Sequence, residues 1–415
     1  MKQKKVSIIG LGYVGLPIAL LLSKKNIKVI GYDINKSLVK KLEDGVYGKN
    51  NENELEIIKL YRKQFKKNNL IFSNKPIRSD IYVICVPTPL KRNQRADLRY
   101  VYAAIDNIIP IIAEDNTIII ESTIPIGSTN QIRKKIKQKL NNLNINIAYC
   151  PERILPGDAI NELINNDRIV GGINEKSSKT AEEFYKLFVR GKIHITGVGE
   201  AEFVKLAENA YRDVNIAYAN ELSILCEKNK IDFSKVISLS NFHPRVNILS
   251  PGIGVGGHCI PIDPWFLIEN NNSKFSVIKN SRLMNKFKTK YIAENILSFI
   301  KNVEKSTKVQ NLFFMGLSYK PNVGDLRESP AIDIINQISK KNLKKTIYVN
   351  DPFLSSNIFK NFKNIKKSSV KSGISKSQII IILVAHNEYK NINNLIKNHH
   401  FVYDAVNIIY NSNRK

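Results

Sequence analysis

Cysteine is scarce in this chain: there are 4 in 415 residues, at Cys85, Cys150, Cys226 and Cys259, and no two form a CxxC pair. That argues against a disulfide framework or a zinc site and for a reducing compartment, so the expected location is the cytoplasm, with no metal. A long apolar run is missing too. No stretch reaches the roughly 18 apolar residues of a membrane span, and none is expected. The start, Met1-Lys2-Gln3-Lys4-Lys5, leads straight into a strand and lacks the apolar core and cleavage site of a signal peptide. Acidic residues are few, 36 against 64 Lys and Arg, giving a net charge of +28. Such a charge can serve nucleic acid or an anionic membrane. Here the lysines are scattered, as in Lys134-Lys135, Lys340-Lys341 and Lys366-Lys367, and no nucleic-acid-binding motif accompanies them. The expected partner is a small anionic ligand such as a nucleotide, not nucleic acid and not a membrane.

What is present is ordinary in bulk: 43% hydrophobic and 24% charged residues, the balance of a globular protein. A chain of this length exceeds a single core. We expect three domains, at 1–198, 199–305 and 306–415. The fold class expected is α/β: two Rossmann-like, doubly wound parallel sheets joined by a central helical domain with a long helix.

Val6-Ser7-Ile8-Ile9 reads as a buried strand and runs into Gly10-Leu11-Gly12-Tyr13-Val14-Gly15. The GxGxxG motif alone is weak. Its setting is what counts: a helical pattern follows from Leu16 to Lys25, then a strand Val29-Ile30-Gly31-Tyr32 ending at Asp33. The first glycine makes the turn, the second admits a pyrophosphate, and the third lets helix and strand pack. The helix N-terminus faces the phosphates. Asp33 would accept from ribose hydroxyls and repel a 2′-phosphate, which selects NAD over NADP.

Strands are expected at 81–86, 117–121 and 145–148, with helices from Leu98 to Ile112 and Gln131 to Leu140 between them. The loops after the first two carry Thr88 and Thr123. Ligands of an open parallel sheet bind beyond the carboxyl ends of its strands. Each threonine is placed either for that or as a helix cap or turn hydroxyl. After the third comes Tyr149-Cys150-Pro151-Glu152-Arg153-Ile154. Glu152 could position water and Arg153 could hold a phosphate or sugar; the alternative is a surface ion pair.

Glu200 to Lys230 contains neither Gly nor Pro, and apolar residues recur with helical spacing at Leu206, Ala210, Val214, Ala217 and Leu225. Lys205, Asn209 and Arg212 share one face of that helix. They suit an oxygen-rich or anionic substrate, or else form a solvated stripe. Asn209 is the harder to dismiss, because Asn disfavours helix interiors. His243-Pro244-Arg245 then forms a polar turn fit to grip a phosphate or hydroxyls. Gly252-Ile253-Gly254-Val255-Gly256-Gly257-His258-Cys259 follows, with Asp263 four residues on. Glycines let backbone N–H groups approach a ligand, and a thiol beside such donors can attack an electrophilic carbon. A buried structural cysteine is the alternative. A second long helix is expected from about Val277 to Val303.

Asn311 to Gly316 reads as another strand, with Tyr319, Lys320 and Arg327 beyond its end and Ser329 capping a helix from Pro330. Strands at 346–349, 378–384 and 401–404 complete a smaller sheet without GxGxxG, so its ligand need not be a dinucleotide. Asn361 to Ser377 reads as loop.

The motifs together resemble the UDP-glucose/GDP-mannose dehydrogenases along nearly the whole chain. The residues that carry this are 148–153 (AYCPER), 212–217 (RDVNIA), 243–247 (HPRVN), and 255–259 (VGGHC) with 263–265 (DPW). The UDP-glucose branch usually has an aromatic at the place of His258 and a lysine at that of Ile262. These departures move the expected substrate toward a UDP-2-acetamido sugar: UDP-N-acetyl-D-mannosamine before UDP-N-acetylglucosamine or UDP-glucose. The resemblance implies a four-electron oxidation of C6 to the acid with two NAD⁺ reduced. It implies Cys259 as nucleophile, Lys205 as acid/base or oxyanion stabiliser, Asn209 as oxyanion donor, and Asp263 and Glu152 as proton and water handlers. It matches Tyr13, Val14, Asp33, Thr88, Thr123 and Arg327 to cofactor positions. Arg153, Ile154, Arg212, His243, Arg245, Gly256, Tyr319 and Lys320 match substrate positions. It also implies a homodimer. His258 could tune the thiol, touch the acetamido group, or pack beside it.

Overall fold

The computed structural model describes residues 4–47, 55–140, 143–154, 158–269, 276–341, 344–353, 359 and 364–409. The chain forms two compact units: Met1–Glu208 with Trp265–Asn271, and Asn209–Pro264 with Asn272–Lys415.

The first unit is built on eight strands: β1 Lys5–Ile9, β2 Lys28–Tyr32, β3 Leu70–Ser73, β4 Ile81–Ile84, β5 Thr117–Ile120, β6 Asn146–Tyr149, β7 Arg168–Gly172 and β8 Ile193–Gly197. Their order is β3-β2-β1-β4-β5-β6-β7-β8. All neighbours are parallel except β6 and β7, which run antiparallel. The chain reverses direction across the sheet between β1 and β4. That switch point opens the crevice where such sheets take ligands. β4, β5 and β6 are buried along their whole length. Apolar layers cover both faces, which is why these strands read as continuous Ile, Val and Tyr runs and not as alternating ones. The helices Gly15–Lys24, Arg99–Ile108 and Ser128–Lys139 make crossovers near the expected places.

The long central helix runs unbroken from Val198 to Lys228. Its residues from Asn209 onward belong to the second unit, together with the returning helix Val277–Glu304. Leu225, one of the apolar positions in the helical series, is 47% exposed and faces away from the core. The second sheet has β9 Asn311–Met315, β10 Thr346–Asn350, β11 Ile365–Lys367, β12 Ile379–Ile382 and β13 Phe401–Asp404. Their order is β11-β10-β9-β12-β13, parallel throughout. Ser329 caps the helix Pro330–Lys340 as expected, accepting from the Ile332 N–H.

The loop expected over Asn361 to Ser377 is corrected by the structure, apart from 361–363, which lie outside the described residues. It contains β11 and the helix Val370–Lys376, capped by Ser369. Both elements are short and polar on their outer faces. Ile365, Gly373 and Ile374 are their buried residues, the two isoleucines at 4% and 2% exposure, so tertiary packing decides what composition does not. Among the described residues no helix is long and apolar enough to cross a membrane.

Candidate active site

In the first unit the glycine motif forms the turn at the switch point. Gly10 has φ +92°, its N–H donates to the Tyr32 carbonyl at 2.8 Å, and a Cβ there would meet the Cys85 carbonyl at 2.6 Å. Beyond it Gly12 has open space where a side chain would stand. Tyr13 and Val14 pack against the core, and the helix starts at Gly15. Asp33 follows β2 and accepts from the backbone N–H groups of Leu11 and Asn35, each at 2.8 Å. A carboxylate oxygen takes more than one donor, so both retain capacity for ribose hydroxyls.

Thr88 and Thr123 lie in the loops after β4 and β5. Neither is a helix cap: the helices that follow start at Arg99 and Ser128, with Leu98 and Gly127 at the N-cap positions. The two loops are tied together by the Ser122 hydroxyl, which donates to the Val86 carbonyl at 2.7 Å.

Lys205 is 5% exposed. Its ammonium donates to the Glu152 carbonyl at 2.6 Å, which rules out a solvated stripe at this position. The Glu152 carboxylate accepts from the Ile154 N–H two residues on. Arg153 does not pair with Glu152. Its guanidinium forks onto Glu208 at 2.6 and 3.1 Å and donates to the Asp167 carbonyl at 3.2 Å.

In the second unit Cys259 is exposed, which corrects the buried-structural alternative; Cys150 and Cys226 are the buried thiols. The Cys259 carbonyl accepts from the N–H groups of Ile262 and Asp263 and so leads into the short helix Asp263–Leu267. The Asp263 carboxylate is buried and accepts from the Asn209 side chain at 2.6 Å. This is the job that explains an Asn inside a helix. Gly256 is a close-approach glycine: a Cβ would sit 2.5 Å from the Glu328 carbonyl and 2.7 Å from Tyr319 Cβ. The Gly257 N–H donates to the Arg327 carbonyl at 2.9 Å. The cysteine loop and the Tyr319–Arg327 loop are therefore interlocked. Burial pushes the Tyr319 hydroxyl up, with the charges of Asp325 and Cys259 adding to it and Arg212 acting against it. Arg327 forks onto Asp325 at 2.6 and 3.0 Å. That fork outweighs burial and holds Asp325 below the usual carboxylate range. Lys320 is half-buried beside Tyr319. Arg212, His243 and Arg245 are exposed, the last two on one turn where the Arg245 N–H donates to His243 Nδ1 at 3.3 Å.

Three family models match this chain in order: the NAD binding domain of the UDP-glucose/GDP-mannose dehydrogenase family over residues 4–189, its central domain over 199–287, and its UDP binding domain over 313–411. The chain belongs to the UDP-glucose/GDP-mannose dehydrogenase family. It is a nucleotide-sugar dehydrogenase, and its cofactor is NAD. It is 42% identical over 394 residues to the UDP-N-acetyl-D-mannosamine dehydrogenase of Methanococcus vannielii, covering 94% of this chain and 88% of that one. The NDP-N-acetyl-D-galactosaminuronic acid dehydrogenase of Ralstonia nicotianae is 36% identical, over 93% and 92% of the two chains. The solved UDP-D-ManNAc dehydrogenase of Pyrococcus horikoshii superposes with a TM-score of 0.86 at 32% identity, covering 98% and 96%.

The residues of this dehydrogenase fit NAD on its own geometry: the open face at Gly12, the helix start at Gly15, and spare acceptor capacity on Asp33. Sequence reading missed a buried group at the carboxyl ends of the same strands. The Tyr185 hydroxyl donates to Glu121 at 2.5 Å. Arg168 lies over the Tyr185 ring at 5.2 Å, with none of its guanidinium nitrogens hydrogen-bonded. Burial pushes Glu121 up and the Arg168 charge opposes it. Burial also pushes the Cys85 thiol well up. One signal pointed there: an acid, Glu121, directly after an all-isoleucine strand end. Glu202 was missed as well. From the long central helix it accepts from the N–H groups of Gly127 and Thr129, at 2.6 and 2.8 Å, and caps the helix Ser128–Lys139.

Proposed function

We propose that this enzyme oxidises C6 of UDP-N-acetyl-D-mannosamine to the uronic acid through a covalent thioester on Cys259. The observation that carries the substrate is the match along 94% of the chain to a relative of that name. Exposure of Cys259, and the Asn209–Asp263 pair in the same unit, support the mechanism.

Gly10 to Gly15 and Asp33, with Thr88, Thr123 and Arg327, would hold NAD, which when bound would supply the hydride acceptor for each of the two oxidations at C6. The chain does the rest. Lys205, held by the Glu152 carbonyl, takes the proton of the C6 hydroxyl as the aldehyde forms, or stabilises the resulting oxyanion. The Cys259 sulfur adds to the aldehyde carbon and gives a thiohemiacetal, whose oxygen accepts from Asn209. Such donors contribute about 10²–10³-fold. The second oxidation leaves a thioester. Glu152 and Asp263 deliver water to it and manage the protons, the C–S bond breaks, and the acid leaves. Arg153, Ile154, Arg212, His243, Arg245, Gly256, Tyr319 and Lys320 bind the UDP-sugar.

Three domains, at 1–198, 199–305 and 306–415, divide this work among cofactor, chemistry and uridine nucleotide. A free reactive thiol suits a reducing compartment, and the enzyme works in the cytoplasm on this reading, supplying precursors for cell-surface polysaccharide. It works as a homodimer. Tyr211, Tyr218 and Leu225 recur every seven residues on the long central helix at 70%, 53% and 47% exposure, an apolar stripe that suits a second copy.

Initial rates of NADH formation with a panel of UDP-sugars test the substrate. UDP-N-acetyl-D-mannosamine should be the best by at least about tenfold in kcat/KM, the equivalent of roughly 1.4 kcal/mol. A preference for an N-acetylgalactosamine, N-acetylglucosamine or glucose nucleotide would overturn it.

A further inference from the structure

Between the long central helix and the returning helix, buried polar side chains lead to the cysteine loop. Asp213, Asn220 and Asn285 are 0%, 0% and 1% exposed. Asp213 Oδ1 accepts from Arg282 Nη1 at 2.5 Å and from Asn285 Nδ2 at 2.7 Å. Asn285 Nδ2 also donates to the Asp213 carbonyl at 3.0 Å. With its nitrogen so committed, Asn285 presents Oδ1 to Asn220, whose Nδ2 donates to it at 2.9 Å. That in turn leaves Asn220 Oδ1 to accept the N–H of Gly252 at 2.9 Å. An amide has one donor end and one acceptor end. A carboxylate fixed at the head therefore sets the polarity of both amides down the line.

Gly252 opens the loop that ends at Cys259. The same loop is crowded at Gly254, where a Cβ would meet Thr289 Oγ1 of the returning helix at 2.0 Å. At its far end the Gly257 N–H is held by the Arg327 carbonyl. Three points thus fix the main chain ahead of the thiol, and the first depends wholly on Asn220. A seam between two helices needs no carboxylate and no amides to pack. Burying them is costly, the more so as Asp213 Oδ2 and Arg282 Nε are buried without a hydrogen-bond partner.

We propose that Asp213, Asn285 and Asn220 are positioning residues: they pin the Gly252 end of the glycine loop and so aim the Cys259 sulfur. The proposal rests on the reading of Cys259 as the nucleophile. Its effect is on the chemistry, not on cofactor binding, because the line of hydrogen bonds ends on the cysteine loop.

The test compares Asn220→Ala with Ile296→Ala, a wholly buried apolar residue of the returning helix that carries Asn285. Each variant is assayed for kcat, KM for NAD⁺, melting temperature and the rate at which iodoacetamide alkylates Cys259, read by peptide mass spectrometry. Asn220→Ala should lower kcat about tenfold, in keeping with the cost of a small misplacement of a reacting group. The alkylation rate should change at least about threefold, and KM for NAD⁺ should stay within about twofold. Ile296→Ala should lower the melting temperature and leave kcat and alkylation as they are. Wild-type kcat and alkylation in folded Asn220→Ala overturn the proposal. So does an equal kcat loss in Ile296→Ala, which would mark a general loss of packing. If Asn220→Ala does not fold, Asn285→Ala decides on the same readouts, since it leaves Asn220 in place but removes the acceptor that keeps its Oδ1 turned toward the Gly252 N–H. Two NADH per sugar from Cys259→Ser would sink the nucleophile reading separately, while the alkylation rates would still report whether Asn220 sets the thiol's surroundings.

Discussion

Gly10 turns the chain out of β1 with φ +92°, and Gly316 turns it out of β9 with φ +89°. Each glycine donates its N–H to the last residue of the next strand at 2.8 Å, Tyr32 in one sheet and Asn350 in the other. The residue after each glycine, Leu11 or Leu317, donates to an aspartate just past that strand, Asp33 or Asp351, both at 2.8 Å. The two sheets share this corner bond for bond. They part at the aspartate. Asp33 is half-buried and otherwise takes only the Asn35 N–H. Asp351 is 4% exposed and also takes the Ser318 N–H, the Ser318 hydroxyl and His386 Nε2. His386 Nδ1 accepts from the Asn322 N–H, so the ring holds the loop that carries Tyr319 and Lys320. On the function proposed above, the same corner serves as a ligand site in one sheet, and it is an internal anchor in the other. What separates them is whether the chain itself fills the carboxylate.

The comparison breaks most visibly at Asp351. Asp351→Ala strands buried donors of Leu317, Ser318 and His386, costing on the order of 3–5 kcal/mol. The melting temperature should fall by roughly 10 °C, with KM for NAD⁺ unchanged; calorimetry and a cofactor titration read both. Asp33→Ala should do the reverse. KM for NAD⁺ should rise about tenfold, as for loss of a hydrogen bond to a charged group, while the melting temperature moves by only about 2–3 °C. Equal effects at the two aspartates would mean that the corners do not differ in use.

The smallest effect is one of pH. Burial works to raise the Asp351 carboxyl, but the His386, Leu317 and Ser318 donors outweigh it and hold the group below its ordinary 3.8. A carboxyl depressed on folding adds stability above its unfolded value, and that stability is lost as pH falls through the lower folded one. The gap in melting temperature between wild type and Asp351→Asn should be constant near neutrality and close below about pH 4. A gap that widens in acid would contradict the assignment.

Much of this was legible in residues alone, for physical reasons. Gly10 to Gly15 announces itself because a turn, a phosphate approach and a helix contact each demand a glycine at a fixed place. Cys259 stands out because glycines and an acid surround it. Asp351 and His386 were not legible. They are 35 residues apart, and neither lies in a motif; only the sheet order β10-β9-β12 brings them together. Asp213 lies in the 212–217 stretch, but its partner Asn285 lies in no motif, and only the packing of two helices joins them. The short strand β11 and the helix after it read as loop in sequence because so little of either is apolar. Arg153 was seen beside Glu152 in sequence, but its fork reaches Glu208 on the long central helix instead.

The central claim is that one thiol, Cys259, carries C6 through both oxidations. The direct measurement is the number of NADH formed per molecule of UDP-N-acetyl-D-mannosamine consumed, by wild type and by Cys259→Ser. The account predicts two for the wild type and at most one for the variant, with no acid released. Two NADH per sugar from Cys259→Ser would contradict it.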